Sequence, residues 1–209
     1  MKDRHKPILL KKLALGGTDR SGEIIGILGV HRGAGVTHTG LMLAFYLGEY
    51  LDKKTAYLEC NRHCDMSLIG DAYEWQDEGD NHFSYGRITC YKNVTPDLIP
   101  ELLGEAYEYF LLDFGTEFAE NREEFLRCTK KLVLCGSSQW SIMKLQQFVK
   151  AHESDRGNET WRYLIPFTKA SKAARLKAEL KRRVLAVPLL EEPTRPNRNI
   201  NVFLQEILS

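Results

Sequence analysis

Hydrophobic and polar positions follow two different periods along the chain, and together they predict a regular series of strands and helices. Short apolar runs are typical of strands buried on both faces. They occupy the following segments: Ile24–Val30, Thr55–Cys60, Tyr109–Asp113, Lys131–Cys135, Trp161–Phe167 and Val184–Pro188, with Phe83–Tyr91 as a further β-rich stretch. Apolar residues at helical spacing predict helices over a second set of segments. The first helix follows the glycines at positions 33 and 35 and ends at Leu51, and the others are Met66–Trp75, Pro96–Tyr107, Phe118–Lys130, Ser141–Ala151, Ala170–Arg183 and Ile200–Leu208.

The alternation of the two patterns predicts an α/β fold, a doubly wound and mostly parallel sheet with helices on both faces. Ile24–Val30 is expected to be the central strand, with Tyr109–Asp113 beside it, because both are very apolar and both end at candidate ligand residues. Residues 23–209 are predicted to form a single domain, preceded by a polar and basic lead-in over residues 1–22.

The segment 24–51 joins a buried strand, a glycine-rich turn and a helix. Loop amides and a helix N-terminus both direct positive charge at an anion, so this combination is typical of phosphate-binding sites. The usual phosphate-binding loop has Lys and then Ser or Thr after its last glycine, whereas here Gly35 is followed by Val36 and Thr37. The segment therefore predicts a phosphate-binding fold that lacks the phosphate-binding lysine.

A second candidate residue is Asp113, which ends an apolar strand. An acid at this position emerges at the carboxyl edge of the sheet, where ligands of such folds bind. It is expected to lie beside the glycine loop, where it could help to hold Mg²⁺; the structural alternative is a carboxylate that caps the next turn or helix.

Composition narrows the classes of function. The 209 residues carry a formal charge of +1, which argues against nucleic-acid binding driven by global charge. The chain shows no signal-peptide pattern and no apolar run long enough to span a membrane, and its five cysteines are expected to be reduced thiols of a cytoplasmic protein. Cys60, His63 and Cys64 have no second pair of suitable spacing, so a metal site there is disfavoured.

The run from Gly29 to Thr37 resembles the deviant P-loop of the ParA/MinD class of ATPases, which reads Lys-Gly-Gly-x-Gly-Lys-Thr. In the register set by Gly35 and Thr37, the family's dimer-reaching lysine falls on His31 and its phosphate lysine on Val36. The resemblance implies a nucleotide- or anion-binding site formed by His31, Arg32, Gly33, Ala34, Gly35, Val36, Thr37 and His38. It also implies Thr37 and Asp113 as ligands of a nucleotide-bound Mg²⁺, and Asp113 as the candidate catalytic residue.

The family's other acidic position, after the second strand, falls near Glu59 or Asn61. ParA and MinD relatives place plasmids, chromosomes or division proteins, and the TadZ/CpaE branch localises pilus machinery and often has an altered P-loop. The resemblance therefore implies a cytoplasmic localisation or assembly scaffold with protein partners, a homodimer as one state, and binding of ATP and Mg²⁺ that is weak or absent.

Several alternatives stay open at this stage. Arg32 could replace the missing lysine in an active ATPase or remain a solvated loop cation, and Thr37 could be a magnesium ligand or a helix N-cap. His31 and His38 could titrate near the site or be ordinary polar residues. The basic helix over residues 169–183 could bind DNA or be a solvated face.

Overall fold

The computed structural model describes residues 22–77, 79 and 81–209, so all but the last residue of the predicted lead-in lies outside the described part. Its centre is a nine-stranded sheet. The strands are β1 (Glu23–Gly29), β2 (Thr55–Glu59), β3 (Gln76–Asp77), β4 (His82–Tyr85), β5 (Ile88–Tyr91), β6 (Tyr109–Asp113), β7 (Lys130–Leu134), β8 (Arg162–Pro166) and β9 (Arg183–Val187).

The helices connect these strands. They are α1 (Val36–Phe45), α2 (Asp65–Ala72), α3 (Ile99–Leu102), α4 (Phe118–Arg127), α5 (Gln139–Ala151), α6 (Ala170–Leu180) and α7 (Arg198–Leu208). Helix α1 continues directly into a π-helical turn, Tyr46–Tyr50. A 3₁₀ turn, Asn158–Thr160, precedes β8.

The strand order is β3-β4-β5-β2-β6-β1-β7-β8-β9. Every neighbouring pair from β5 to β9 is parallel, whereas β3, β4 and β5 pair antiparallel. Strand β1 lies between β6 and β7, with Ile27 opposite Asp113. The predicted mostly parallel sheet, and the position of 109–113 beside the first strand, are therefore confirmed.

Both faces of the sheet are covered, as expected for a doubly wound fold. On one face Ile25 and Ile27 of β1 belong to a core shared with α1 and α7. On the other face Ile24 and Leu28 belong to a core shared with α4, α5 and α6. Side chains alternate between the two faces of a strand, so an apolar run such as β1 supplies both cores.

Two predictions are wrong in extent. The helix expected over Pro96–Tyr107 is only α3, because the amide of Gly104 turns back to the carbonyl of Glu101 at 2.8 Å and glycine disfavours a longer helix. The stretch Phe83–Tyr91 forms a hairpin of β4 and β5 rather than one strand, since Gly86 turns the chain with φ of 54°. The adjoining segment 76–82, for which no strand is predicted, contributes β3 to the same edge.

Candidate functional site

The candidate site lies at the carboxyl end of β1, in the loop that leads into α1. Gly33 and Gly35 have φ of 76° and 91°, left-handed values that glycine adopts without strain. Gly29 is required for a different reason: a Cβ there would lie 2.8 Å from Cγ2 of Val36. The glycines thus allow the loop to fold tightly over the end of β1.

The loop borders an open cavity of about 290 Å³. The amides of Gly35, Val36 and Thr37 have no hydrogen-bond acceptor among the described residues, as is usual for the first turn of a helix. The cavity is lined by His31, Arg32, Gly33, Ala34, Gly35, Val36, Thr37, His38, His63, Asp65, Gly115 and Thr116. All eight loop positions expected from the sequence therefore meet at one cavity, while anion binding there stays a prediction.

Val36 occupies the lysine position of the motif and is directed into the protein. It is 7% exposed and belongs to the core beneath α1. Arg32, in contrast, is exposed and forms no ion pair with any described residue. Among the described residues that line the cavity, Arg32 is thus the only lysine or arginine, and the position that carries lysine in the motif supplies no cation.

The two loop histidines are engaged by the surrounding backbone. Nε2 of His31 accepts a hydrogen bond from the amide of Gly136 at 3.0 Å, so Nδ1 carries the proton that is donated to the carbonyl of Arg32 at 2.8 Å. Nε2 of His38 lies 2.8 Å from the carbonyl of Leu190 and donates to it. His38 thereby ties α1 to the loop after β9, and His31 ties the glycine loop to the start of the segment after β7.

Thr37 and Asp113 are in direct contact. The Thr37 hydroxyl donates to Oδ2 of Asp113 at 2.8 Å. The N-cap position is Gly35, without a side-chain cap, so the alternative in which Thr37 caps α1 is wrong. Asp113 lies beside the glycine loop, as the strand pattern predicted.

Asp113 is completely buried, and its carboxylate accepts four hydrogen bonds from the described residues. Oδ2 also accepts from the Tyr57 hydroxyl at 2.6 Å. Oδ1 accepts from Asn61 Nδ2 at 3.0 Å and from the amide of Gly115 at 2.9 Å. Burial raises the pKa of the Asp113 carboxyl, and the bonds from Tyr57, Gly115 and Thr37 oppose that rise.

The geometry does not fit the Mg²⁺ that the resemblance implies at Asp113. A carboxylate offers about four lone-pair directions, and all four are used by donors of this chain. Asp113 is also absent from the described residues that line the cavity. Only Thr37 of the two expected ligands faces the space in which a metal would lie.

The other acidic position has a structural task. Glu59 is 1% exposed; its Oε1 accepts from the amide of Met66 at 3.0 Å and its Oε2 from that of Asn93 at 3.2 Å. Burial raises the pKa of this carboxyl. Glu59 therefore holds the start of α2 and the loop after β5, whereas Asn61 contacts Asp113.

Four cavity residues were not expected from the sequence: His63, Asp65, Gly115 and Thr116. They follow β2 and β6, the two strands on one side of β1. The rule that ligands bind at the carboxyl ends of parallel strands could have found them once the strand order was known. Among the described residues, no group of three or more His, Cys, Asp or Glu side chains is placed so that it could hold a metal ion. This statement covers Cys60, His63 and Cys64.

No helix in the described ranges has the length and apolar character needed to cross a membrane. No protein-family model matches the sequence, and no curated protein matches it either.

Solved structures with the same fold are found at low sequence identity. A MinD cell-division ATPase from Pyrococcus furiosus has a TM-score of 0.64 and 11% identity, over 90% of this chain and 98% of that one. A plasmid partition protein from Borrelia burgdorferi, bound to AMPPNP, has a TM-score of 0.63 and 14% identity, over 90% and 97%. A MinC–MinD complex from Aquifex aeolicus has a TM-score of 0.62 and 15% identity, over 81% and 83%. The chain therefore has the fold of the ParA/MinD-type P-loop ATPases.

Proposed function

We propose that this protein is a catalytically degenerate ParA/MinD-like protein that serves in the cytoplasm as a localisation or assembly scaffold. The observation that carries the proposal is the burial of Val36 at the lysine position. In this proposal the glycine loop has a structural role only, and the protein acts by binding protein partners rather than by hydrolysing ATP. The finer form is a role like that of the TadZ/CpaE branch, whose members localise pilus machinery.

The missing lysine affects both binding and reaction. A hydrogen bond to a charged group contributes about 1.5–3 kcal/mol, so ATP is expected to bind weakly or not at all. A donor directed at transition-state charge contributes about 10²–10³ in rate, which Val36 does not supply. The replacement of lysine by His31 at the dimer-reaching position removes a second cation, because both ring nitrogens of His31 are held by backbone groups.

The proposal is tested by calorimetric titration of the purified protein with Mg-ATP. We expect little or no heat from the wild type and measurable binding by Val36→Lys, since the lysine would restore the charge-assisted contact with the phosphates. Thermal melting of both proteins is the control for folding. Tight binding of ATP by the wild type would contradict the proposal.

A second candidate function is association with DNA. Helix α6 and the start of β9 place Lys177, Lys181, Arg182 and Arg183 around one concave surface, together with Glu159 and Glu206. Clustered cations of this kind can neutralise phosphates and release counterions. The test is the salt dependence of binding to double-stranded DNA: loss of binding on charge reversal of Lys177 and Lys181, but not of the exposed Lys150, would favour this function.

A further inference from the structure

Tyr57 is the unusual member of the group around Asp113. It lies in the middle of β2, opposite Leu111 of β6, and its side chain is completely buried. Position 40 of α1 has to be glycine beside it, because a Cβ there would lie 2.7 Å from the Tyr57 ring and 2.8 Å from its hydroxyl. The ring is thus clamped between helix and sheet, with its hydroxyl fixed on Asp113.

The hydroxyl of Tyr57 completes the set of donors to Asp113. Thr37 and Tyr57 share Oδ2, while Asn61 and Gly115 share Oδ1. A magnesium ion beside bound phosphates would need an oxygen of this carboxylate, or a water that donates to it, and Mg²⁺ accepts only near-ideal octahedral geometry. A ligand position on Asp113 becomes free only if one of the four donors leaves.

Of the four donors, Tyr57 is the one that neither lines the cavity nor belongs to the loops at the carboxyl edge of the sheet. The Gly115 amide and Asn61 shape the turn after β6, since Asn61 also donates to the Asp113 carbonyl at 3.1 Å. Thr37 faces the cavity. We infer that Tyr57 excludes magnesium from this site, so that a phosphate-bearing ligand of the loop binds as a metal-free anion.

This inference concerns the same cavity as the proposed function. It rests on the proposed function in one respect, the assignment of the glycine loop as a degenerate P-loop. It is tested with Val36→Lys, and with the same variant carrying Tyr57→Phe, by titrating AMPPNP in Mg²⁺ and in EDTA. Val36→Lys alone should show the same affinity in both solutions. The double variant should bind about tenfold more tightly in Mg²⁺, the equivalent of one charge-assisted contact.

The matched control is Tyr163→Phe in the Val36→Lys protein, because Tyr163 is equally buried but lies on β8. It should leave the affinity equal in Mg²⁺ and EDTA. Magnesium dependence of Val36→Lys itself, or a folded double variant without magnesium-dependent binding, would overturn the inference. The proposed function would survive either result, since it fails only if the wild type binds ATP tightly or hydrolyses it.

If Val36→Lys does not fold, the comparison is made between the wild type and Tyr57→Phe with inorganic phosphate, whose contact with the loop amides does not need the lysine. Calorimetric titration measures the affinity for phosphate in Mg²⁺ and in EDTA. The wild type should bind equally in both solutions, and Tyr57→Phe should bind more tightly in Mg²⁺. Equal affinities of Tyr57→Phe in the two solutions, or no binding of phosphate by either folded protein, would overturn the inference.

Discussion

At the scale of the residue, the site is defined by what surrounds Asp113. Burial raises the pKa of its carboxyl, yet four donors aim at its two oxygens, an arrangement that suits the ionised form. Because these donors satisfy the charge, the buried carboxylate needs neither a metal nor a ligand to remain in place. Val36 packs in the core and Asp113 is satisfied by donors of the chain. Neither side chain therefore needs a nucleotide to hold its position.

Replacement of Tyr57 by Phe should destabilise the protein in a pH-dependent way. The lost bond to an ionised carboxylate should cost about 1.5–3 kcal/mol in the free energy of unfolding near neutral pH. In the folded wild type the pKa of Asp113 lies above its ordinary value of 3.8, because the carboxyl is buried. The hydrogen bond from Tyr57, which the variant lacks, favours the ionised carboxylate. The cost should therefore shrink as the pH falls through that raised pKa, because the carboxyl becomes protonated in both proteins.

Urea denaturation of the wild type and Tyr57→Phe at a series of pH values measures this difference. Tyr163→Phe is the control, since burial raises the pKa of Tyr163 and its hydroxyl contacts no carboxylate at the site. A difference that stays constant from neutral to acid pH would show that the hydroxyl does not stabilise the ionised form of Asp113.

At the scale of the element, α1 packs closely against the sheet and is buried on most of its surface, unlike an amphipathic helix with one solvent-facing side. Eight of its residues, including Thr39 and Gly40, are buried. Helix α1 leads away from the glycine loop, so its distance from β2 also sets the position of Thr37. A glycine in the middle of a helix normally lowers its stability by about 1 kcal/mol, which indicates that Gly40 is present for packing.

Gly40→Ala should therefore destabilise the protein, although alanine is the better helix former. The added Cβ would lie 2.7 Å from the clamped Tyr57 ring, and overpacking of a core typically costs about 1–3 kcal/mol. Thermal unfolding measures the effect. The exposed Ala174 in α6 provides the control for helix propensity: Ala174→Gly should cost about 1 kcal/mol. A Gly40→Ala protein more stable than the wild type would contradict the packing described here.

At the scale of the whole molecule, the sequence predicted the architecture well because buried parallel strands are long apolar runs. The central place of β1 and the contact of Thr37 with Asp113 follow from that pattern and from the glycine loop. The role of Tyr57 could not be predicted, because a tyrosine in an apolar strand is indistinguishable from ordinary core until the strand order is known. The hairpin of β4 and β5 was not predicted, because the residues on both sides of Gly86 are β-forming and the run looks like one strand.

The central claim is that the fold of a P-loop ATPase is retained here without turnover. The direct measurement is phosphate release from Mg-ATP by the purified wild type, beside Arg32→Ala and, as the control, Arg156→Ala, which replaces another exposed arginine. The account predicts that all three proteins release no phosphate above the buffer rate, because Val36 supplies no cation and Asp113 has no free acceptor. Release by the wild type and by Arg156→Ala that disappears in Arg32→Ala would contradict the account and identify Arg32 as the substitute for the lysine.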